Sequence, residues 1–133
     1  MTVFVDTSAL YAVLDADDDH HPSAKDTWVG LLENRDVLQT DNYVLVETSA
    51  LLQSRLGMPA VTKFTTDILP VLTIFWVDEG VHRSAHHALL VSARRRLSLV
   101  DCVSFEVMRR LYLDTAFCFD LHCAEQGFRV LPE

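Results

Sequence analysis

The sequence predicts an α/β fold, specifically a three-layer α/β/α sandwich with a mostly parallel central sheet of four to five strands. The first observation is that short apolar runs alternate with helical patterns along the chain. The second is that these runs are apolar throughout, which is typical of parallel strands covered by helices on both faces. The third is size, since 133 residues, 50% of them hydrophobic, suit one domain spanning 1–133.

The first half of the chain contains two predicted strands, TVFVD at its start and VLQT at 37–40. The first strand runs into a predicted helix over 7–14, and a second helix is expected over 24–32, after the polar loop DADDDHHPS. A longer helix follows VLQT. Asn42 is its expected N-cap and Gly57 its C-terminal stop.

The second half continues the alternation of strands and helices. Pro59 begins a helix expected to reach Leu69, and VLTIFWV at 71–77 is a third strand by its β-branched and aromatic content. Further helices are expected from near Glu79 and from about Asp101. TAFCF is the fourth predicted strand, and FRVLP is the fifth, after a short turn of helix.

Charge, hydropathy and cysteine content limit the kind of protein. A formal charge of -8 argues against a broad basic surface for nucleic acid and fits a divalent-cation site or a basic partner. No apolar run approaches the ~20 residues that span a bilayer and no signal peptide is recognisable, so we expect a cytoplasmic protein without membrane contact. The three cysteines, Cys102, Cys118 and Cys123, follow no CxxC spacing and are expected to be buried, reduced thiols.

Four carboxylates stand out by their positions. Asp6 and Asp120 each follow a predicted strand, and Asp101 opens a predicted helix. Glu47 lies within a helix, and its neighbours three and four residues away are apolar, which places it on the apolar side. Because residues just past the carboxyl ends of parallel strands converge on one crevice, we expect the four carboxylates to meet there.

Each carboxylate also has a simpler interpretation. Taken singly, Asp6, Asp101 and Asp120 are helix N-caps as readily as metal ligands. Capping does not explain Glu47, which alone is open to a salt bridge with Arg55 or to a position at the edge of the core. If the four converge, their repulsion requires protons or hard cations. Mg²⁺ or Mn²⁺ held by carboxylates can activate water to attack a phosphodiester, which is nuclease chemistry.

The same residues, in this order, resemble the PIN domain family, and more narrowly the VapC-type ribonuclease toxins of bacterial and archaeal toxin-antitoxin pairs. The resemblance rests on VDTSAL, TDNYVLVETSALL, LSLVDCVSF and AFCFDLHCAEQGF, and covers essentially the whole chain. It implies that the catalytic metal ligands are Asp6, Glu47, Asp101 and Asp120. It also matches Thr7 and Ser104 to hydroxyls near the metal, although capping of first helical turns is an alternative role for both.

The resemblance further implies an activity and its partners. It implies an endoribonuclease that uses Mg²⁺ or Mn²⁺ to activate water, cuts RNA to leave a 5′-phosphate, and is silenced by the cognate antitoxin protein of a type II pair. The resemblance also implies a homodimer as the common form. Cys118 departs from the family pattern, because many members carry Thr there, and the change removes a hydroxyl that supports the site. Cys123 likewise stands at a commonly aromatic position.

Two other functions are weighed against the ribonuclease. A non-catalytic PIN-like interaction module is the alternative function, but a scaffold has no need of Glu47 in an apolar setting. A phosphotransferase of the haloacid-dehalogenase type would need a second Asp after the first strand, as in DxDxT, and VDTSA has none.

The basic cluster Arg94, Arg95 and Arg96 is most simply a solvated helix end, with RNA contact as the alternative.

Overall fold

Five parallel strands form the central sheet in a computed structural model that describes residues 1–133. Their spatial order is β3-β2-β1-β4-β5. Every neighbouring pair of strands is parallel, which confirms the predicted sheet. The bounds of the strands are β1 (Thr2–Val5), β2 (Val37–Asp41), β3 (Thr73–Phe75), β4 (Thr115–Phe117) and β5 (Arg129–Leu131).

Seven α-helices connect and cover the strands. Their bounds are α1 (Thr7–Leu14), α2 (His21–Glu33), α3 (Asn42–Leu56), α4 (Met58–Lys63), α5 (Glu79–Ser92), α6 (Leu99–Arg110) and α7 (Leu121–Glu125). All are connected in the βα alternation that the sequence predicts. None of them combines the length and the apolar character that a membrane crossing requires.

The helix predicted from Pro59 to Leu69 is interrupted. It is α-helical only to Lys63, continues as a π-helical turn over Phe64–Ile68, and ends in a 3-10 turn over Leu69–Val71. In that stretch the hydroxyls of Thr65 and Thr66 donate to backbone carbonyls four residues earlier, a contact that loosens regular helices. Because helical structure extends to Val71, the third strand is shorter than predicted.

The core lies on both faces of the sheet. Val3, Phe4 and Val5 are consecutive in β1 and all are fully buried, as is Phe117 in β4. Consecutive burial means that both faces of these strands are covered, which is the reason the strands are apolar throughout. The three cysteines are free and buried, as predicted.

The strand order of the parallel sheet reverses between β1 and β4. Strands β2 and β3 extend to one side of β1, whereas β4 and β5 extend to the other. The backbone N–H of Asp6 donates to the carbonyl of Phe117 at 3.0 Å, so the ends of β1 and β4 lie side by side. Such a reversal opens a crevice at the carboxyl ends of the strands, where side chains from several segments can meet.

Candidate active site

Asp6 lies at the carboxyl end of β1, where it is also the N-cap of α1. Its Oδ2 accepts hydrogen bonds from the backbone N–H of Ser8 at 3.0 Å and from Ser8 Oγ at 2.6 Å. Burial raises the pKa of Asp6, the hydrogen bonds from Ser8 oppose that rise, and the charges of Asp101 and Asp120 add to it. Asp6 is therefore both a cap and a member of an acidic cluster.

Asp101 lies inside the first turn of α6. Ser98 is the N-cap: its Oγ accepts from the N–H of Asp101 at 3.0 Å, while Asp101 Oδ2 accepts from the N–H of Ser98 at 3.1 Å. This capping box corrects the prediction that Asp101 opens the helix, which starts two residues earlier at Leu99. Burial raises the pKa of Asp101, and the charge of Asp120 raises it further.

Asp120 follows β4 and caps α7, with its Oδ1 accepting from the N–H of His122 at 3.0 Å. Its side chain is 38% exposed, so it faces solvent from the crevice. Ligand atoms of Asp101, Asp120 and His122 all lie within 4.8 Å of one another. The structure thus brings the predicted pair of aspartates together and adds an imidazole that the sequence analysis did not single out.

Glu47 approaches the cluster from α3. The fully buried face of that helix consists of Val44, Thr48 and Leu52, and Glu47 lies half-buried beside it. The sequence predicts that Glu47 lies on the apolar face of α3, but the structure places it at the edge of that face. It forms no ion pair with Arg55, whose guanidinium lies 5.3 Å from the centre of the Tyr11 ring.

The electrostatics of Glu47 connect it to the other acids. Burial raises its pKa, a hydrogen bond with the Thr7 hydroxyl opposes the rise, and the charges of Asp6, Asp101 and Asp120 raise it further. The four predicted carboxylates therefore influence one another, although three of them also serve helix termini. Capping and cluster formation occur together at the same residues.

The two predicted supporting hydroxyls occupy different places. Thr7 lies at the rim of the cluster, where its Oγ1 accepts from Thr48 Oγ1 at 3.2 Å. Ser104 is buried in the interior of α6 and caps no helix; its Oγ donates to Asp41 Oδ2 at 3.5 Å. Thr7 is thus next to Glu47, whereas Ser104 supports a fifth carboxylate.

Asp41 is that fifth carboxylate, and it corrects the predicted cap of α3. Its Oδ1 accepts from the N–H of Val44 at 2.9 Å, which makes Asp41 the N-cap in place of Asn42. Asn42 Oδ1 accepts instead from the N–H of Val77 at 2.7 Å. Asp41 is fully buried, and burial raises its pKa to about 6, with the charge of Asp6 contributing.

The thiol of Cys118, which the resemblance matches to a hydroxyl position, lies beside Asp6. Its Sγ lies 3.7 Å from Asp6 Oδ2 and accepts from the N–H of Asp120 at 3.3 Å. The second unusual cysteine packs against it, with Cys123 Sγ 2.8 Å from Cys118 Sγ. A hydroxyl next to Asp6 is still present, because Ser8 provides it. The substitution therefore leaves the cluster polar.

His122 connects the cluster to the basic loop that precedes α6. Its side chain is only 12% exposed, and its Nε2 lies 3.1 Å from the carbonyl oxygen of Arg96. Glu125, on the same helix, pairs with Arg94 Nη2 at 2.9 Å. The loop is therefore held against α7, beside Asp120, and is more than a solvated helix end.

Comparisons with known proteins identify the family to which the chain belongs. The PIN domain family model matches residues 3–128. The 23S rRNA-specific endonuclease VapC20 of Mycobacterium tuberculosis is 35% identical over 133 residues, which cover 98% of this chain and 99% of that protein. A crystal structure of Mycobacterium tuberculosis VapC20, described as a sarcin-ricin loop cleaving toxin, superposes with a TM-score of 0.85 at 33% identity and 95% coverage of both chains.

A more distant structure shares the fold. VapBC2 from Rickettsia felis, bound to a DNA fragment from its promoter, has a TM-score of 0.71 at 12% identity, covering 98% of this chain and 97% of that one. The family match and the identity to VapC20 extend over nearly the whole sequence, which confirms the resemblance that the acidic motifs predict. This chain therefore belongs to the PIN domain family, as a homologue of the VapC-type protein VapC20.

Proposed function

We propose that this protein is a divalent-metal-dependent endoribonuclease and the toxin of a type II toxin-antitoxin pair. The observation that carries the proposal is the convergence of four carboxylates from separate segments at the ends of β1 and β4. They are Asp6, Glu47, Asp101 and Asp120. Membership in the PIN domain family and 35% identity to a ribosomal RNA endonuclease support the same activity.

The donor set suits Mg²⁺ or Mn²⁺. All four side chains offer carboxylate oxygens, the ligands that these hard cations prefer. The pKa values of Asp6, Glu47 and Asp101 are raised by burial and by neighbouring negative charge, so the cluster is stabilised by a bound cation. When bound, the metal lowers the pKa of a water molecule and stabilises the charge that builds on the phosphodiester.

The protein's part is to fix the ligands. Backbone N–H groups hold the carboxylates of Asp6, Asp101 and Asp120, because each accepts a hydrogen bond from a helix terminus. Glu47 has no backbone N–H partner and is held by its hydrogen bond with the Thr7 hydroxyl, so its side chain can exchange that bond for a cation or take up a proton from the attacking water. Fixed ligands with one adjustable acid are suited to holding a metal through hydrolysis.

The substrate and partner follow from the family. VapC20 acts on ribosomal RNA, and we infer RNA as the substrate class of this chain. We further infer a homodimer that is silenced by a cognate antitoxin protein. The net charge of -8 favours an antitoxin that places an Arg or Lys in the acidic cluster. A toxin-antitoxin complex without a basic group near Asp6, Glu47, Asp101 or Asp120 would contradict that binding mode.

The test separates the two roles of Asp6. Purified protein and an Asp6→Asn variant are incubated with RNA in Mg²⁺ or Mn²⁺, with and without EDTA. Asn keeps most of the capping ability but removes the charge. Asp26→Asn, at an exposed position on α2, is the matched control.

The proposal expects cleavage that requires the metal, is abolished by EDTA, and falls by at least about 100-fold in Asp6→Asn, because a ligand charge is lost. Asp26→Asn keeps full activity. If the wild-type protein is inert towards varied RNAs, in both metals, the nuclease proposal fails, and the non-catalytic interaction module replaces it.

A further inference from the structure

Two cavities border the acidic cluster, and Phe119 and Asp120 line both of them. The first has a volume of about 340 Å³ and is also lined by Ser8 and Arg55. The second has a volume of about 560 Å³ and is also lined by Arg96. Each of the two cavities that share Asp120 therefore also contains arginine.

The arginine of the first cavity makes no close ion pair, although, after a hydrogen bond from Tyr11, its charge helps to lower the pKa of the nearby Asp15 carboxyl. Arg55 is exposed near the end of α3, lies over the Tyr11 ring at 5.3 Å, and forms no ion pair. Other arginines, such as Arg83 and Arg110, are paired with glutamates one helical turn away. An exposed guanidinium that lies over an aromatic ring and forms no close ion pair can bind a phosphate group.

An aromatic platform lies in the same cavity. The rings of His20 and Phe119 are stacked, with 4.4 Å between their centroids and 16° between their planes. His20 is exposed, whereas Phe119 is partly buried and meets Phe117 edge-on. Phe117 therefore supports the Phe119 ring on which His20 stacks. The imidazole of His20 lines the same cavity as Asp120. Flat rings of this kind bind unstacked nucleobases.

We propose that this cavity binds the nucleotide adjacent to the scissile phosphate, with Arg55 on its phosphate and His20 under its base. The substrate is then a single-stranded or looped RNA, since a base within a duplex cannot reach the imidazole. Arg55 and His20 are positioning residues for the RNA; the metal-binding acids are separate. This inference rests on the proposed ribonuclease function and adds to it the place where one nucleotide binds.

The test measures binding apart from cleavage. A fluorescein-labelled RNA decamer of mixed sequence is titrated at pH 8, in Ca²⁺, at several salt concentrations, and anisotropy gives the dissociation constant. A phosphate contact to single-stranded RNA contributes about 0.7 to the slope of log K against log salt. Arg55→Ala therefore weakens binding and lowers that slope by about 0.7. Arg83→Ala, at an exposed helical arginine paired with Glu79, keeps the wild-type slope.

His20 gives a different signature. Stacking of a base on a ring releases no counterions, so His20→Ala weakens binding at least about fivefold, the loss expected for one stacked base, with an unchanged salt slope. His20→Phe restores the affinity because it keeps a flat ring. Because the His20 ring also stacks on Phe119, thermal melting of each variant separates the two roles: a His20→Ala protein that melts as wild type but binds RNA weakly has lost the nucleobase contact and not the packing.

Two results overturn the inference: an Arg55→Ala protein whose salt slope and affinity match Arg83→Ala, or a His20→Ala protein that binds as wild type. RNA cleavage in Mg²⁺ is measured separately. If wild type cleaves and both variants cleave and bind equally well, the nucleotide site fails while the ribonuclease stands. If binding depends on Arg55 and His20 but wild type never cleaves, the binding site stands and the ribonuclease proposal fails.

Discussion

The hydroxyl of Ser8 donates a hydrogen bond to Oδ2 of Asp6 at 2.6 Å, and Oγ of Ser8 accepts one from the backbone N–H of Phe119 at 2.9 Å. Ser8 therefore joins the first turn of α1 to the segment that carries Asp120. These two segments supply carboxylates from different strands. A single hydroxyl thus helps to fix the separation between two of the proposed metal ligands.

Replacing Ser8 by Ala tests this connection. The change leaves the N–H of Phe119 without its partner and removes a hydrogen bond that favours the charged form of Asp6, so the pKa of Asp6 rises further. We expect the free energy of unfolding to fall by about 1 to 2 kcal/mol and metal-dependent cleavage to fall about tenfold. Thermal melting and a cleavage assay measure the two effects.

A serine outside the site provides the control for that experiment. Ser92 donates to the carbonyl of Leu89 at the end of α5 and contacts none of the acids. Ser92→Ala keeps wild-type cleavage. Equal cleavage by Ser8→Ala and Ser92→Ala would show that the hydroxyl of Ser8 does not support the site.

Stability should decline with pH because of Asp41. Its pKa is about 6 in the folded protein and near 3.8 when unfolded. At pH values between these two pKa values, Asp41 binds more protons in the native state than in the unfolded state. Its contribution to the free energy of unfolding therefore falls as pH rises from about 4 to about 6. The loss is on the order of 2 to 3 kcal/mol.

An Asp41→Asn variant should remove that part of the decline. Asn still accepts from the N–H of Val44, so the cap of α3 is kept. Denaturant unfolding in EDTA at pH 4.5 and pH 7 measures the change for wild type, Asp41→Asn and the exposed control Asp26→Asn. A decline in Asp41→Asn as large as that of wild type would show that the carboxylate of Asp41 is not responsible.

The polar role of Cys118 is tested with two isosteric residues. Cys118→Thr supplies a hydroxyl to the N–H of Asp120 and to Asp6, whereas Cys118→Val has the same shape without it. We expect the Thr variant to cleave within about threefold of wild type and the Val variant to lose about tenfold, since the N–H of Asp120 is left unpaired. Equal activities of the two variants would contradict a polar role for this position.

His122 should affect metal affinity through its contacts. Its imidazole lies within 4.8 Å of the carboxylates of Asp101 and Asp120 and holds the carbonyl of Arg96. His122→Ala is expected to raise the Mg²⁺ concentration needed for half-maximal cleavage about tenfold, with the maximal rate recovered at high metal. His122→Gln, which keeps an N–H donor for Arg96, recovers part of the loss. A lowered maximal rate at saturating metal would contradict this role.

The strands and the order of the acids were predictable because each depends on local sequence. Apolar runs mark buried parallel strands, and the carboxylates that follow β1 and β4 meet because parallel strands end at one edge. The cap of α3 was not predictable in the same way. Asp41 and Asn42 are both short polar side chains that suit an N-cap. Only the tertiary contact of Asn42 with the N–H of Val77 decides between them.

Other differences between the predicted and the observed site also arise from contacts or patterns beyond a single residue. The start of α6 was readable from Ser98 followed three residues later by Asp101, which is a capping-box pattern, but the prediction weighed Asp101 alone. His122 gave no signal, because its importance depends on the loop carrying Arg96 folding back against α7. Glu47 was placed by helical periodicity, which locates a face of α3 but does not distinguish its centre, at Thr48, from its edge.

The most direct test of the central claim is to locate the metal. Crystals soaked in Mn²⁺ and measured at the manganese absorption edge should show an anomalous peak bounded by Asp6, Glu47, Asp101 and Asp120, and Asp101→Asn crystals should show a weakened peak or none. A peak at those carboxylates means that one acidic site holds the cation on which the proposed cleavage depends. Manganese bound only elsewhere, such as at the exposed acids of the loop DADDDHH, would contradict the account.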